Sequence, residues 1–487
     1  MADQQRIYDV IIVGAGVVGS LCARELARYQ LDILLLDRYA DVGEGTTKAN
    51  TAIVHAGYDA KPGSMKAIFN VAGNALYDEV CGELDVDFDR CGTYVVGLAD
   101  GDQATLLDLQ ARGRVNGVPG LEIISGDEMR RREPALTPDA RAALYAPTGG
   151  LVDPFQLCYA AAENAVVNGV ELRLNTMVTG LWRERGRIVG VLTPAGALRA
   201  RRVVIAAGLW ADELMHQAGL NGFGIRPRKG EYFVMDKVAA SMVRNVLFPC
   251  PTEVSKGILV TRTIHGNVML GPNAVDQDDK CDLATTPSGL NEVMEGALKL
   301  VPGLDSRQVI RTFAGLRAGG SSGDFVIEAP HETPGLVVLA GIESPGLTAA
   351  PAIAGHVVEL LREGGLRLAL RAAFNPIRQG IPRFSELSLD EREALIAQDA
   401  RWGRIVCRCE MVSEAEIVAA CHAPVPACTY DALKRRVRVG SGRCQGSFDQ
   451  PYVIDIMARE LGVSPLEITK KGGRSRMVVR RTKEVGA

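Results

Sequence analysis

The sequence has no apolar run long enough to span a bilayer. Its most hydrophobic stretch near the N-terminus, VIIVGAGVVG at residues 10–19, is short and broken by glycine, whereas a membrane helix needs about 20 apolar residues. No basic region with a cleavage site precedes it, which argues against a secretory leader. There is no excess of one charge either: 55 basic and 58 acidic residues leave a formal net charge of −3, so no global attraction to nucleic acid or an anionic membrane follows. The eleven cysteines are an odd number spread over 487 residues, which fits reduced thiols and a metal site better than a secreted disulfide framework. No internal repeat or low-complexity segment is present. These absences predict a cytoplasmic protein, and 47% hydrophobic with 23% charged residues suffices for two or three domains with sizeable cores.

What is present begins with Tyr8–Val13, a β-branched apolar run expected to form a buried parallel strand. It feeds into GAGVVG, where Gly14, Gly16 and Gly19 have G-x-G-x-x-G spacing, and a helical pattern follows. Such glycines permit a tight turn and let backbone amides approach a pyrophosphate. Asp37, 23 residues past Gly14 at the end of LDILLLD, is placed to bind a ribose hydroxyl. A strand-to-helix turn without a ligand is the alternative, and the full strand–glycine–helix–acid context speaks against it. The motif leaves FAD and NAD both open.

Four further segments carry a resemblance. GEGTTKANTAIVHAGYDAKPGSMKA (43–67), VVIAAGLWADEL (203–214), TFAGLRAGG (312–320) and GIESPGLTAAPAIAG (341–355) resemble the flavin-side loop, second nucleotide-contacting strand, substrate-arginine region and closing flavin loop of the D-amino-acid oxidase superfamily. The string H-A-G-x-x-x-x-P-G-S-x-K-A from His55 to Ala67 is similar to the branch containing glycerol-3-phosphate oxidases and dehydrogenases and L-2-hydroxyglutarate oxidases. The resemblance implies FAD, contacted by Gly14, Gly16, Gly19, Asp37, Arg38, Thr46, Thr47, Asn50, Ala207, Gly208, Trp210, Gly341, Gly346, Leu347 and Thr348. The expected fold is α/β (α+β overall). A discontinuous Rossmann-like FAD-binding domain is expected over residues 1–85, 146–219 and 311–365, with a mostly antiparallel substrate domain over 86–145 and 220–310. Strand-like runs such as GILVTRT and NVMLG fall in the latter.

Oxidising an alcohol at a flavin requires a base for the hydroxyl proton. Histidine has a suitable pKa, and of the six histidines only His55 lies in the flavin-side loop, where the resemblance implies the base. A structural role or a covalent flavin tether are the alternatives for it. Arg317 offers a planar fork for a phosphate or carboxylate, with Lys229 and Lys280 as lesser anion contacts and Ser344 beside the flavin. A surface ion pair is the alternative for Arg317, but glycines on both sides suggest close approach to a ligand.

The C-terminal region starts beyond a proline- and glycine-rich stretch and a charged helical run, with the linker expected near 366–402 and a small helical domain over 403–487. IVCRCE (405–410) and GRCQGSFDQP (442–451) place Cys407 and Cys409 ahead of Cys444 and Asp449. They resemble the ending of relatives that carry a bacterioferritin-associated-ferredoxin-like domain with a 2Fe-2S cluster, where a cysteine stands at the position of Asp449. Zinc accepts the same soft ligands, so it is the rival metal. Asp449 also sits where a helix N-cap belongs, with Pro451 just inside. Cys421 and Cys428 are possible substitutes as ligands, although Cys421 falls on the apolar side of a helix opened by a Ser413–Glu416 capping box. The basic tail KKGGRSRMVVRRTK (470–483) is read as a solvated face or partner contact.

The leading expectation is an FAD-dependent dehydrogenase that oxidises a small hydroxylated anion and passes electrons through a 2Fe-2S site to an electron-accepting protein subunit or carrier. Glycerol 3-phosphate is the first substrate, an L-2-hydroxy acid the second and an amine or opine the third. A non-catalytic electron-transfer subunit is the alternative from another class. Assembly into an oligomer is a further expectation.

Overall fold

The computed structural model describes residues 6–251, 257–480 and 482; residues 481 and 483 of the basic tail fall outside them. Among the described residues no helix is long and apolar enough to cross a membrane.

An eight-stranded sheet is built around Ile7–Val13, with Gly196–Ile205 on one side and Ile33–Leu36 then Glu171–Arg173 on the other, all parallel. Leu336–Ala340 joins it parallel to Gly196–Ile205. The strand Ile7–Val13 is apolar throughout because both of its faces are covered. Val10 and Ile12 pack with helices Val17–Leu26, Pro154–Val167 and Gly346–Glu363, whereas Ile11 and Val13 pack with helix Ala211–Gln217. Helix Pro154–Val167 starts where the sequence directs it: Asp153 Oδ1 accepts from the amides of Phe155 and Gln156, and proline occupies the first turn.

A second, nine-stranded sheet is mostly antiparallel and runs in the order 275–276, 225–235, 268–270, 260–262, 246–249, 93–97, 142–146, 122–125, with Val309–Gly320 along the outer side of Ile225–Met235. This corrects the sequence reading of residues 311–320, assigned there to the FAD-binding part. They pair with Ile225–Met235 over its whole length, from Ile225–Gly320 to Met235–Val309.

The stretch read as a linker is an anchored strap. Its irregular backbone cannot satisfy itself, so the side chains of Asn164 and Asn168 donate to Asn375 O, and Arg371 donates to Ala27 O and Leu31 O. Arg378 forms a buried ion pair with Glu163. Helix Leu389–Gln398 then opens with a Ser388–Glu391 capping box.

The C-terminal unit combines a short hairpin of Ile405–Cys407 with Val412–Ser413 and helices Glu414–Cys421, Tyr430–Val437 and Gln450–Leu461. It is ion-paired to the loop after Ile33–Leu36: Arg436 grips Asp41 through both of its terminal nitrogens, at 2.8 and 2.9 Å, and Arg435 reaches Asp41 and Glu44. Arg436 and Asp41 side chains are only 1% and 2% exposed. Arg443 and Glu410 add pairs to Asp236 and Lys237 of the second sheet's rim.

Candidate functional site

One cavity of about 1140 Å³ runs between the two sheets. Gly14 has φ +109°, a left-handed conformation that favours glycine, and a Cβ there would overlap Ala206 O. At Gly16 an added Cβ would stand in the cavity, touching only Thr47 Oγ1 at 3.3 Å. Gly19 does not line the cavity; a Cβ there would overlap Gly14 O, so this glycine brings helix and turn together. Asp37 lines the cavity and accepts from Ala15 N (2.8 Å) and Tyr39 N (2.9 Å). Burial pushes its pKa up while those amides oppose the rise. The Arg38 guanidinium lies 4.3 Å from the Trp210 ring centroid. Thr46, Thr47, Asn50, Ala207, Gly208, Gly346 and Leu347 are also in the wall. The cradle therefore fits a dinucleotide, with bare glycine backbone at the turn and an acid and aromatic groups beyond it.

At the other end stands His55. Its amide donates to Thr348 Oγ1 (2.9 Å) and its carbonyl accepts from Asn70 and Asn74 Nδ2, both at 3.0 Å. The backbone is thus clamped on both sides and the ring projects beside Ser344, whose Oγ is 3.4 Å from His55 Nε2. Thr348 is fully buried and outside the cavity wall, so it holds the histidine loop and does not face a ligand. Gly341 is also outside the wall; its φ is +66°.

Arg317 lines the cavity, donates to Asn273 O (3.3 Å) and lies beside the Tyr232 hydroxyl. Directly opposite it in register is Arg228, also in the wall. Like charges facing each other across a strand pair are unfavourable; the Asp276 carboxylate, 3.4 Å from Arg228 Nε, offsets part of that, and a bound anion would offset more. The flanking glycines serve protein contacts: a Cβ at Gly315 would overlap Ala49 O, and one at Gly320 would press on the Phe223 ring at 2.6 Å. Two sequence expectations are corrected. Lys229 is buried, faces away and pairs with Asp282 at 2.8 Å, because side chains alternate along a strand and Arg228 takes the cavity side. Lys280 lines the cavity but is bound to Asp212 (2.7 Å) and Glu213 (3.1 Å) beside Trp210, away from His55. The sequence reading missed Arg228 and Tyr232, whose strand face is fixed only by the pairing with the strand of Arg317, and the Lys66–Glu343 ion pair at the wall (2.7 Å).

In the C-terminal unit, Cys407 and Asp449 form one neighbouring pair and Cys409 and Cys444 another. Among the described residues no three His, Cys, Asp or Glu side chains converge as they would on a single metal ion. Two pairs suit a binuclear cluster, in which each iron takes two protein ligands. Burial, and next the Asp449 carboxylate, push the Cys407 thiol up to about 12 against the amides of Gly440 and Glu410. Burial opposes ionisation of Cys444 too, but the amides of Gly446 and Phe448 and the Cys409 thiol hold it below its ordinary range. Backbone N–H groups aimed at sulfur are what a cluster's thiolates require.

Asp449 occupies the N-cap position of Gln450–Leu461 without a side-chain cap bond. The cap role read from the sequence is therefore not what its carboxylate does, and its Oδ2 is buried with no hydrogen-bond partner. This donor set fits an iron–sulfur cluster. Cys421 is buried in that unit's core, as its place on the apolar helix side predicts, and Cys428 is exposed.

Comparison with known proteins finds two families along the chain. Residues 9–360 match the family described as FAD dependent oxidoreductase, and residues 405–458 match the BFD-like [2Fe-2S] binding domain. The chain is 45% identical over 464 residues to a glycerol 3-phosphate dehydrogenase of Caloramator mitchellensis, covering 95% of this chain and 96% of that protein. It is 32% identical to an L-2-hydroxyglutarate dehydrogenase of Escherichia coli, over 55% of this chain and 64% of that protein. Among solved structures, the dithionite-reduced L-α-glycerophosphate oxidase of Mycoplasma pneumoniae with FAD bound superposes with a TM-score of 0.73 and 29% identity, covering 77% of this chain and 99% of that one.

Proposed function

The chain belongs to the FAD dependent oxidoreductase family, and from that premise we propose that it oxidises glycerol 3-phosphate to dihydroxyacetone phosphate. The observation that carries this reading is the convergence, in one cavity, of a clamped histidine and a facing arginine pair. Bound FAD supplies the acceptor for the hydride leaving the substrate carbon. His55 takes the proton of the hydroxyl at that carbon, and Ser344 Oγ, 3.4 Å from His55 Nε2, orients the ring. Arg317 and Arg228 hold the phosphate by charge-assisted bonds, and Asn273 O keeps the Arg317 fork in place. Thr348, Asn70 and Asn74 fix the histidine through its backbone. Gly14, Gly16, Asp37, Arg38, Thr46, Thr47, Asn50, Ala207, Gly208, Trp210, Gly346 and Leu347 hold the cofactor.

The BFD-like domain points to an electron-accepting protein as partner, with Cys407, Cys409, Cys444 and Asp449 as cluster ligands. A second substrate reading, an L-2-hydroxy acid, draws on the similarity to L-2-hydroxyglutarate dehydrogenase, because two arginines receive a carboxylate as readily as a phosphate. A dye-linked assay with glycerol 3-phosphate, L-2-hydroxyglutarate and L-proline separates the classes. The proposal expects turnover and dihydroxyacetone phosphate from the first; turnover confined to either of the others overturns it.

A further inference from the structure

We infer that Tyr430 is a positioning residue for the cluster site: its hydroxyl holds Oδ1 of Asp449, so that Oδ2 is the single oxygen presented to iron. The inference rests on the reading of Asp449 as a ligand. Tyr430 opens helix Tyr430–Val437, whose first turn is fixed by Thr429 Oγ1 accepting from Ala432 N at 3.1 Å. The tyrosine is 3% exposed and Asp449 2%, and the phenol donates to Asp449 Oδ1 at 3.3 Å.

The ring is held in a slot. A Cβ at Gly440 would lie 2.5 Å from the phenol oxygen and one at Gly446 2.6 Å from it. Both glycines have positive φ, +68° and +91°, so the loop carrying Cys444 bends around the tyrosine only because side chains are missing there. The same geometry explains the absent helix cap. Asp449 itself lies in the αR region, at φ −96° and ψ −22°, and its carboxylate is directed to Tyr430 instead of the helix amides. Oδ2 then remains buried and unpartnered, an arrangement costly for a carboxylate oxygen unless a cation meets it.

A carboxylate is a harder donor than the thiolates around it and has two oxygens with which to bind or to swing away. A hydrogen bond to Oδ1 restricts it to one-oxygen binding, keeps it in place and draws charge from it. Such outer partners commonly change metal affinity 10- to 100-fold.

The test uses the full chain, purified anaerobically, and Tyr430→Phe, which keeps the ring in its slot and removes only the donor. Iron and sulfide content, the electron paramagnetic resonance spectrum after dithionite reduction, and the rate at which bathophenanthroline disulfonate extracts iron are compared. The wild type is expected to hold about two irons and two sulfides per chain. Tyr430→Phe should start with the same load, lose iron about tenfold faster or more, and show shifted g values. In an Asp449→Cys background, where no second oxygen exists, adding Tyr430→Phe should change nothing. Equal extraction rates and spectra for wild type and Tyr430→Phe overturn the inference and leave the cluster reading intact. An equal effect in the Asp449→Cys background also overturns it, since the Tyr430 hydroxyl would then act through a partner other than Asp449 Oδ1. A wild type free of iron and sulfide overturns the cluster reading and this inference with it.

Discussion

The cavity between the sheets and the sulfur-lined end of the C-terminal unit hold their chemical groups by different means. In the cavity the controlling contacts are made by backbone: Gly14 and Gly19 allow the turn to close, Gly315 lets a strand touch Ala49, and His55 is gripped by its own amide and carbonyl. The contributing residues span Gly14 to Leu347. In the C-terminal unit everything lies between residues 405 and 449, and the decisive atoms are four side-chain ends. The first kind of site is intolerant of added bulk. The second depends on the identity of single side chains such as Asp449.

Loading the glycine turn should break the first site outright. Gly16→Leu fills the space a pyrophosphate needs, and purified protein should lack the flavin absorbance band while keeping its 2Fe-2S signal. Loss of both signals together would show that the two regions do not stand apart as described. Next in size is the ion pair that joins them. Asp41→Asn leaves Arg436 buried without its partner, a change worth about 3–5 kcal/mol, visible as a lower Tm by calorimetry at neutral pH. Burial alone would raise the pKa of Asp41, but Arg436 and Arg435 outweigh it and hold it below the usual range. A carboxylate lowered on folding contributes stability above its unfolded pKa, about 3.9, and loses that contribution as pH falls through its folded value. The gap between wild type and Asp41→Asn should therefore narrow in acid.

Two smaller effects sharpen the chemistry of the cavity. His55→Ala should bind FAD normally and slow substrate-dependent flavin reduction by about 10²-fold or more, measured in single turnovers; an unchanged rate removes His55 from the mechanism. Arg317→Ala should raise the Kd for glycerol 3-phosphate by about 10- to 100-fold, the scale of a hydrogen bond to a charged group. Its limiting rate should fall less than that of His55→Ala.

The two regions were also legible in the sequence to different degrees, for the same reason. Glycine spacing reports backbone constraints directly, so the turn at Gly14, the acid at Asp37 and the histidine loop could be read before any coordinates. Side-chain direction could not. Lys229 and Arg228 are neighbours in a strand, and only the sheet's pleat decides which of them faces the cavity. Lys280 lines the cavity from the nucleotide side because of Asp212 and Glu213, 68 and 67 residues away in the chain. Residues 311–320 contain a motif implied by the resemblance, but the motif carries no record of the strand they pair with. The proline- and glycine-rich composition of 366–402 suggests a free linker, and the asparagine side chains that anchor it lie some 200 residues earlier, with 211 positions separating Asn164 from Asn375. At Asp449 the cap position was evident, and Tyr430, which takes the carboxylate from that role, was not.

The central claim, that this cavity removes hydride and proton from a small hydroxylated anion, is tested most directly by mixing the oxidised, FAD-loaded full chain with glycerol 3-phosphate in the absence of oxygen and following the flavin absorbance. The account predicts bleaching whose rate saturates with glycerol 3-phosphate, and far weaker bleaching by glycerol, which lacks the anion that Arg317 and Arg228 receive. A flavin that stays oxidised, or one that glycerol bleaches equally well, would contradict it.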